Sequence, residues 1–530
     1  MLHNRGVTTG SEIDSLFNPS LHDPALLSNM EPACQRLYRA IESDEIIGIF
    51  GDFDVDGVTG TALIAQGLGD LGARVEPYIP HRVTEGHGPN EAAMGVLRER
   101  GASVMVTVDC GVTSLKEVAL AQELGMDVII TDHHIPPATL PHALAIIDPK
   151  LDDGTEYPFP ELSGAGLGFK LVQGLYDLVG QPWSRDLLEL AALSTVADLV
   201  PLKGENRFLV KEGLKELSRT RRPGLLALYR DAGITAESVD VETVSFAIAP
   251  RLNAAGRLDH ADISYRLLLT RSNDEAEKLA AQLGGLNRAR QQLSEEAYNA
   301  ARETVSGWSP LPPILILEGE HISPGIAGLV ATRLVEDFYR PAVVMSRVDG
   351  VIRASARSIA EFHVGAALSQ CGDLFVRHGG HRQAAGFTMH PENLPQLKER
   401  LGRIAADVLE KCDLKPGVNI DAEVSVASLT GETFRWLKAL EPFGVDNPTP
   451  VFLTRNLRPI ESRLVGRRGN HLKLKLKEGG VVWDAMAFRQ AARWVPDTRS
   501  LDVVYTVGTD WRGGREMMSL RVMDFRPSVG

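Results

Sequence analysis

The stretch Ile46-Ile47-Gly48-Ile49-Phe50-Gly51-Asp52-Phe53-Asp54-Val55-Asp56-Gly57 decides how the rest of the chain is read. An apolar run of strand length stops at three aspartates in alternate positions. A glycine closes it, and Val58 to Leu68 continues with the pattern of a helix. Alternation in extended chain would put Asp52, Asp54 and Asp56 on one side. Carboxylates packed that closely repel one another, and bound cations would remove the cost. Ligand sites of parallel α/β sheets lie at the carboxyl ends of strands, where this triplet sits. The same residues also suit an acidic turn that caps the following helix. The triplet alone leaves both readings open.

Outward from it, strands are expected at 46–50, 74–79, 103–108, 127–131 and 144–148, separated by helices at 58–70, 90–100 and 113–124. Such alternation predicts a parallel, doubly wound sheet. Polar residues collect just after the strands, in Asp109-Cys110-Gly111, Asp132-His133-His134 and Asp148-Pro149. Upstream, 11–45 reads as helix broken at Pro19 and Pro24, a lead-in packing on the first sheet.

The chain has 530 residues, room for about three or four domains. Hydrophobic content of 44% and charged content of 24% are those of a soluble globular protein. No apolar run reaches the length of a membrane span. Met1 to Gly6 has no apolar core of the kind a secretion signal needs. Cys34, Cys110, Cys371 and Cys412 are widely separated and form no zinc, redox or disulfide spacing, so a cytoplasmic location is expected. A net charge of −13 argues weakly against a nucleic-acid partner, but a carboxylate-rich site or a local basic groove can hide in the total.

Residues 161–235 read as mostly helical, opening on Leu162-Ser163-Gly164-Ala165-Gly166-Leu167-Gly168. Asp198 follows in apolar surroundings, where a carboxylate needs a partner or a metal. Pro250 to Arg257 holds Arg251 and Arg257 among small residues, which suits approach to phosphate or a loop with solvated arginines. Asp274 to Val305 is a long polar helix with few apolar positions, fit to bridge two domains. A second α/β unit covers about 311–411. It includes Ser355 and Arg357, and the glycine-rich His378 to Phe387, whose amides and His381 suit an anion or simply a turn. In the last segment Leu472-Lys473-Leu474-Lys475-Leu476-Lys477 predicts a strand with one apolar and one basic face. With Arg463, Arg467, Arg468, His471, Trp483, Phe488, Trp494 and Trp511 it suggests a small barrel with a basic, partly aromatic face, or a solvated charged face over core tryptophans.

Asp52, Asp54, Asp56, Asp109, Asp132, His133, His134 and Asp198 form a mixed carboxylate and imidazole set without thiolates. It suits manganese or magnesium better than zinc. Two such ions would activate a water and neutralise a departing oxygen, so the reaction class is metal-assisted phosphoester hydrolysis.

These residues resemble the DHH phosphoesterase superfamily, which Asp132-His133-His134 names, and within it the RecJ family of single-stranded-DNA-specific exonucleases. The likeness runs through His22-Asp23-Pro24, Gly51 to Gly57, Tyr78-Ile79-Pro80-His81-Arg82, Val108-Asp109-Cys110-Gly111, Thr195-Val196-Ala197-Asp198, Pro250 to Arg257, Gly379 to Gly386 and Glu441-Pro442-Phe443-Gly444. The resemblance implies a helical lead-in (1–45), a parallel-sheet DHH domain (46–270) and a connecting helix (271–307). A second α/β, DHH-associated domain (308–412) and a β-barrel of the OB-fold (413–530) follow. It implies 5′-to-3′ release of mononucleotides in DNA repair and recombination, with two Mn2+ or Mg2+ ions. Asp54, Asp56, Asp109, His133 and Asp198 would be metal ligands, with Asp109 the bridge. His134 would stand near the metals or the scissile phosphate and Asp52 would support. Arg82, Ser355 and Arg357 would take the 5′-phosphate, and Arg251, Arg257 and His381 other substrate phosphates. Partners would be single-stranded DNA, a helicase and a single-strand-binding protein, with the chain monomeric and no membrane.

Three departures stand out. Phe50 occupies a position where distant superfamily members carry a metal-binding histidine, which implies a weaker hold on one ion. His321-Ile322-Ser323-Pro324 lacks an expected tryptophan. Asp446 replaces a usual glycine. Two rivals remain. A DHH phosphodiesterase of short oligoribonucleotides or cyclic dinucleotides would resemble the first two units only. A non-catalytic DNA-binding scaffold would have lost ligands.

Overall fold

The structure, a computed structural model, describes residues 1–151, 157–319, 322–466, 469–512 and 515–528. The chain forms two compact units. One gathers Met1–His22, Leu199–Lys211 and Gly417–Gly530, and the other holds Asp23–Asp198 and Glu212–Pro416.

The larger unit contains two sheets. In the first, β1 (Ile46–Gly51), β2 (Arg74–Tyr78), β3 (Ala102–Val108), β4 (Asp127–Thr131) and β5 (Ala145–Ile147) are all parallel, in the order β2-β1-β3-β4-β5. The runs are near-continuously apolar because helices cover both faces. On one face Phe50, Met105, Val128 and Ile130 pack with Ala93, Met94 and Leu97 of the helix Glu91–Glu99. On the other, the helices Val55–Asp70 and Gly164–Val179 approach closely. A Cβ on Gly60 would come within 3.2 Å of Ala165 Cα, and one on Gly67 within 2.6 Å of Val172 Cγ1. The chain leaves β1 for one neighbour and later returns to pair on its other side. The crevice at the carboxyl ends of β1 and β3 is therefore the topological switch point.

The second sheet has β6 (Leu315–Glu318), β7 (Ala342–Val348), β8 (Val351–Arg357), β9 (Phe375–Gly380) and β10 (Ala384–Met389), ordered β6-β7-β8-β10-β9. Only β6 and β7 pair in parallel. The glycine-rich stretch, read as an anion cradle or simply a turn, is a hairpin whose amides largely serve the β9–β10 ladder. A Cβ on Gly380 would meet Ala385 Cα at 2.3 Å, so strand packing accounts for that glycine. Before this sheet runs the long helix Asn273–Ser306, which spans 34 residues as its composition predicts.

In the smaller unit, β11 (Ala422–Glu423) adds to a barrel of β12 (Phe452–Val465), β13 (His471–Glu478), β14 (Val481–Ala487), β15 (Leu501–Arg512) and β16 (Arg515–Pro527). Pairing runs β12-β13-β14-β16-β15 and returns to β12, which closes it. Leu472, Leu474 and Leu476 point into the core and the intervening lysines outward, as alternation requires. The expected aromatic face is smaller than the composition suggests. Trp483 is buried and donates Nε1–H to Val426 O at 3.2 Å, and Trp494 packs near Phe525. Phe488 is exposed, with the Arg521 guanidinium 5.5 Å from its centroid and His471 edge-on. Arg467, Arg468 and His321 lie outside the described residues, and Trp511 outside the described side chains.

The lead-in expected on the first sheet divides. Met30–Glu42 packs there, whereas Arg5 pairs with Asp421 at 2.6 Å and belongs to the barrel unit. Buried Arg207 ties that unit together by donating to Leu16 O, Glu441 O and Pro442 O at 2.6, 2.8 and 3.2 Å. Asp446, where relatives were expected to carry glycine, has φ of 59°, a conformation that glycine favours, and lies 3.3 Å from Lys203.

Candidate metal and phosphate site

Successive strand ends build the acidic wall. Asp52 N–H donates to Val108 O, Asp109 N–H to Thr131 O and Asp132 N–H to Ile147 O, at 3.3, 3.0 and 3.2 Å. One acidic residue per strand is thereby laid along the carboxyl edge of the sheet. The alternation argument for Asp52, Asp54 and Asp56 fails in detail. Strand β1 ends at Gly51, Asp54 caps the helix Val55–Asp70, and Asp56 lies in its first turn. The three still converge because the chain turns sharply there. A Cβ on Gly57 would stand 2.4 Å from the Asp52 backbone. Both readings of the triplet hold for Asp54. Its Oδ1 accepts from Asp56 N–H and Gly57 N–H at 2.9 and 3.3 Å, while the side chain joins the acidic cluster.

Asp56 is 2% exposed and is met by the start of another helix. Its Oδ2 accepts from Gly164 N–H, and its Oδ1 from Ala165 N–H and Ser194 Oγ, at 2.7, 2.7 and 2.6 Å. The helix N-terminus Ser163–Gly166 thus receives a carboxylate of the chain itself. Asp109 sits in left-handed backbone, φ 61°, against Gly164, where a Cβ would meet Asp109 Cβ at 2.5 Å. His133 Nε2 stands 3.0 Å from Asp109 Oδ1, 3.6 Å from Asp56 Oδ2 and 3.7 Å from Asp198 Oδ2.

Asp132 plays a different part. Its Oδ2 accepts from Val112 N–H at 2.9 Å. Its Oδ1 accepts the backbone N–H of His133 and His134 and lies 2.7 Å from His134 Nδ1. It fixes the histidine pair. Burial opposes its charge, but the His134 side chain and the amides outweigh burial and hold its carboxyl below the ordinary range.

Three groups of side chains offer ligand atoms all within 4.8 Å of one another: Asp109, His133 and His134; Asp56, His133 and Asp198; Asp52, Asp54 and Asp109. Burial and mutual repulsion push three of these carboxyls up. Asp54 rises to about 6, Asp198 to about 9, and Asp109 well above its ordinary value. Asp198 Oδ2 is buried without a hydrogen-bond partner. Oxygen donors with two imidazoles and an orphaned carboxylate oxygen fit Mn2+ or Mg2+. Phe50, at the position of an expected histidine, is wholly buried and stacks on Tyr78 at 5.6 Å, so it packs and offers no ligand.

Beside this wall lies a cationic one. The Arg82 guanidinium sits 4.6 Å from the Phe53 ring centroid, and Arg257 Nη1 donates to Gly325 O at 2.9 Å. Arg357 Nη2 would be 3.0 Å from a Cβ on Gly328, with Ser355 Cβ at 3.7 Å. Burial, then Arg82, Arg290 and other neighbouring charge, lowers Arg257 to about 9. Burial and Arg82 lower Arg357. Arg251, expected in the same role, instead pairs with Asp231 at 3.4 Å and donates to Ala247 O. Its stretch is a helix, Ala249–Leu258, rather than a loop. The His381 ring is stacked near His134 at 6.3 Å.

The sequence reading missed several contributors. His87 Nδ1 stands 3.0 Å from Asp52 Oδ1. Burial opposes its charge, but the Asp52 carboxylate raises it to about 9. Lys150 Nζ donates to His133 O, and Asn253 Oδ1 accepts from Val55 N–H. Ser194 shares a 2.6 Å hydrogen bond with Ser163. Only the Ser163-Gly164-Ala165-Gly166 helix start carried a local signal.

Residues 46–195 match the DHH family, N-terminal domain, 312–407 the DHHA1 domain, and 420–524 the RecJ OB domain. The chain is 39% identical over 496 residues to the single-stranded-DNA-specific exonuclease RecJ of Bacillus subtilis (strain 168), covering 92% of this chain and 62% of that protein. It is 34% identical over 541 residues to that of Salmonella typhimurium, covering 97% and 93%. The crystal structure of RecJ from Thermus thermophilus in complex with Mn2+ superposes with a TM-score of 0.85 at 33% identity, over 100% of this chain and 75% of that one. With DHH, DHHA1 and RecJ OB regions in this order, and a relative 34% identical matched over 93% of its length, the chain belongs to the RecJ family of single-stranded-DNA-specific exonucleases, metal-dependent hydrolases built on the DHH fold.

Proposed function

We propose that the chain degrades single-stranded DNA from the 5′ end to mononucleotides by metal-assisted phosphodiester hydrolysis. The observation that carries this is the overlap of the ligand groups, with Asp109 and His133 each shared by two of the three. Asp54, Asp56, Asp109, His133 and Asp198 would hold two divalent ions, Asp109 between them, with Asp52 in support. When bound, the ions would activate a water and neutralise charge on the departing oxygen. Asp132 holds His134 toward the reacting phosphate, and His381 faces His134. Arg82, Ser355, Arg357 and Arg257 accept the terminal phosphate, and the burial that depresses Arg257 and Arg357 strengthens their attraction for an anion.

The domain division proposed is 46–270 for the DHH part, 308–412 for the DHH-associated part and 413–530 for the barrel, which would hold the strand by the lysines of β13. Monomeric state, a cytoplasmic location, and a helicase and a single-strand-binding protein as partners complete the reading. Among the described residues no helix is long and apolar enough to cross a membrane. The complete ligand groups disfavour a non-catalytic scaffold, and the barrel disfavours cyclic dinucleotides. The decisive experiment digests 5′- and 3′-labelled single-stranded DNA and RNA with Mn2+ or Mg2+. Mononucleotides released first from the 5′ DNA end are expected, and release from the 3′ end would overturn the polarity.

A further inference from the structure

The long helix Asn273–Ser306 does more than join two sheets. Its buried face is apolar or small from Ala276 to Gly284 and again from Ala297 to Val305. Between them the buried residues are Asn287 and Ser294, and Arg290 lies on the same face at helical spacing. Arg290 Nη2 donates to Asn287 Oδ1 at 2.7 Å. Arg290 Nε and Ser294 Oγ are buried without any hydrogen-bond partner, although Ser294 is only 7% exposed. The nearby carboxylate does not serve them, because Asp231 pairs with Arg251 and Arg288 at 3.4 and 3.9 Å. No ion pair of Arg290 exists among the described residues.

A buried polar group without a partner costs about 1–3 kcal/mol, more when charged. Here the orphans are an N–H donor and a hydroxyl, beside a guanidinium with further donors free. A group made only of acceptors and carrying negative charge complements them. Arg290 stands electrostatically between the two arginines of the helix Ala249–Leu258: Arg251 acts on it, and it acts on Arg257, the member of the cationic wall. The helix Ala249–Leu258, which carries Arg257, packs against the long helix.

We propose that Arg290, oriented by Asn287 and flanked by Ser294, is a further binding group for the 5′-terminal phosphate of the substrate strand. The proposal rests on the end-recognition reading above. It makes the long helix one wall of the phosphate pocket. Asn287 acts through Arg290 and is a positioning residue.

The test uses the full chain and fluorescence anisotropy with oligodeoxynucleotides bearing either a 5′-phosphate or a 5′-hydroxyl, in Ca2+, across a salt series. Arg290→Gln is expected to reduce the preference for the 5′-phosphate about tenfold, the size expected for a lost hydrogen bond to a charged group. It should also lower the salt slope by about 0.7. Ser294→Ala should reduce the preference about two- to threefold, within the range of one neutral hydrogen bond. Inorganic phosphate should compete with the 5′-phosphate strand on the wild type and more weakly on the variant. An unchanged preference, or equal losses on both ends, would overturn the proposal. Arg290→Lys, which keeps the charge and loses the fork, covers the case in which the glutamine variant does not fold. Retention of the full preference by both Arg290→Lys and Ser294→Ala would then overturn it. Arg357→Gln is run in parallel. If it abolishes the preference and Arg290 variants do not, only this inference fails. If neither changes the preference, the end-recognition reading fails with it.

Discussion

Ser194 Oγ donates to Asp56 Oδ1 at 2.6 Å across 138 residues of sequence. With the amides of Gly164 and Ala165 on the same carboxylate, this fixes how Asp56 faces His133 and Asp198. A carboxylate so held keeps its angle before any ion arrives.

Ser194→Ala is therefore expected to leave the fold intact and weaken manganese activation. The loss should be about 10–100-fold in the metal concentration for half-maximal activity, the usual effect of removing a group that orients a ligand. Titration of Mn2+ against nuclease rate checks this, and an unchanged midpoint would show that Asp56 needs no such support.

Asp109 sits among carboxylates and in left-handed backbone, which asparagine tolerates. Asp109→Asn should abolish hydrolysis yet raise Tm by several degrees in EDTA, because folding no longer has to suppress the ionisation of a carboxyl opposed by burial and by its neighbours. For a cooperative unit of about 150–250 residues each kcal/mol moves Tm by about 2–4 °C. Added Mn2+ should raise the Tm of the wild type and not that of the variant. A metal-free Tm below wild type would contradict the repulsion argument.

Arg357→Gln should lower kcat/KM on 5′-phosphorylated strands about tenfold or more and leave 5′-hydroxyl strands nearly unaffected, as the loss of a charged hydrogen-bond donor implies. Steady-state kinetics on the two ends decides. Equal losses would place Arg357 outside end recognition.

The barrel separates a stabilising aromatic from a binding one. Trp483→Ala removes a core ring with a satisfied N–H and should cost about 3–5 kcal/mol of barrel stability. Phe488→Ala should cost little stability and weaken long single strands by about 1–3 kcal/mol, the measured worth of one stacked base. Chemical denaturation and strand affinity, measured on both, distinguish the two roles.

Much of the site was legible as residue types. Asp54, Asp56, Asp109, His133 and Asp198 stand together because hydrophobic periodicity fixes the strands, and polar residues after parallel strands meet at the switch point. The reason given for the first triplet was wrong, since Asp54 and Asp56 belong to a helix start and not to extended chain. His87 and Ser194 were invisible because each acts through a contact across distant sequence. Arg251 looked equivalent to Arg257, and only packing shows that Asp231 takes the first while the second faces other cations.

By itself, the sequence determined the parallel sheet, the long helix, the amphipathic strand of the barrel and the inventory of acids and imidazoles. These follow from local periodicity and side-chain chemistry. Tertiary structure alone decided which lysines, serines and arginines are already satisfied and which are held without partners. Whether a buried donor has an acceptor depends on chain segments brought together by packing. That is why nothing set Asn287, Arg290 and Ser294 apart within a long polar helix until their surroundings were known.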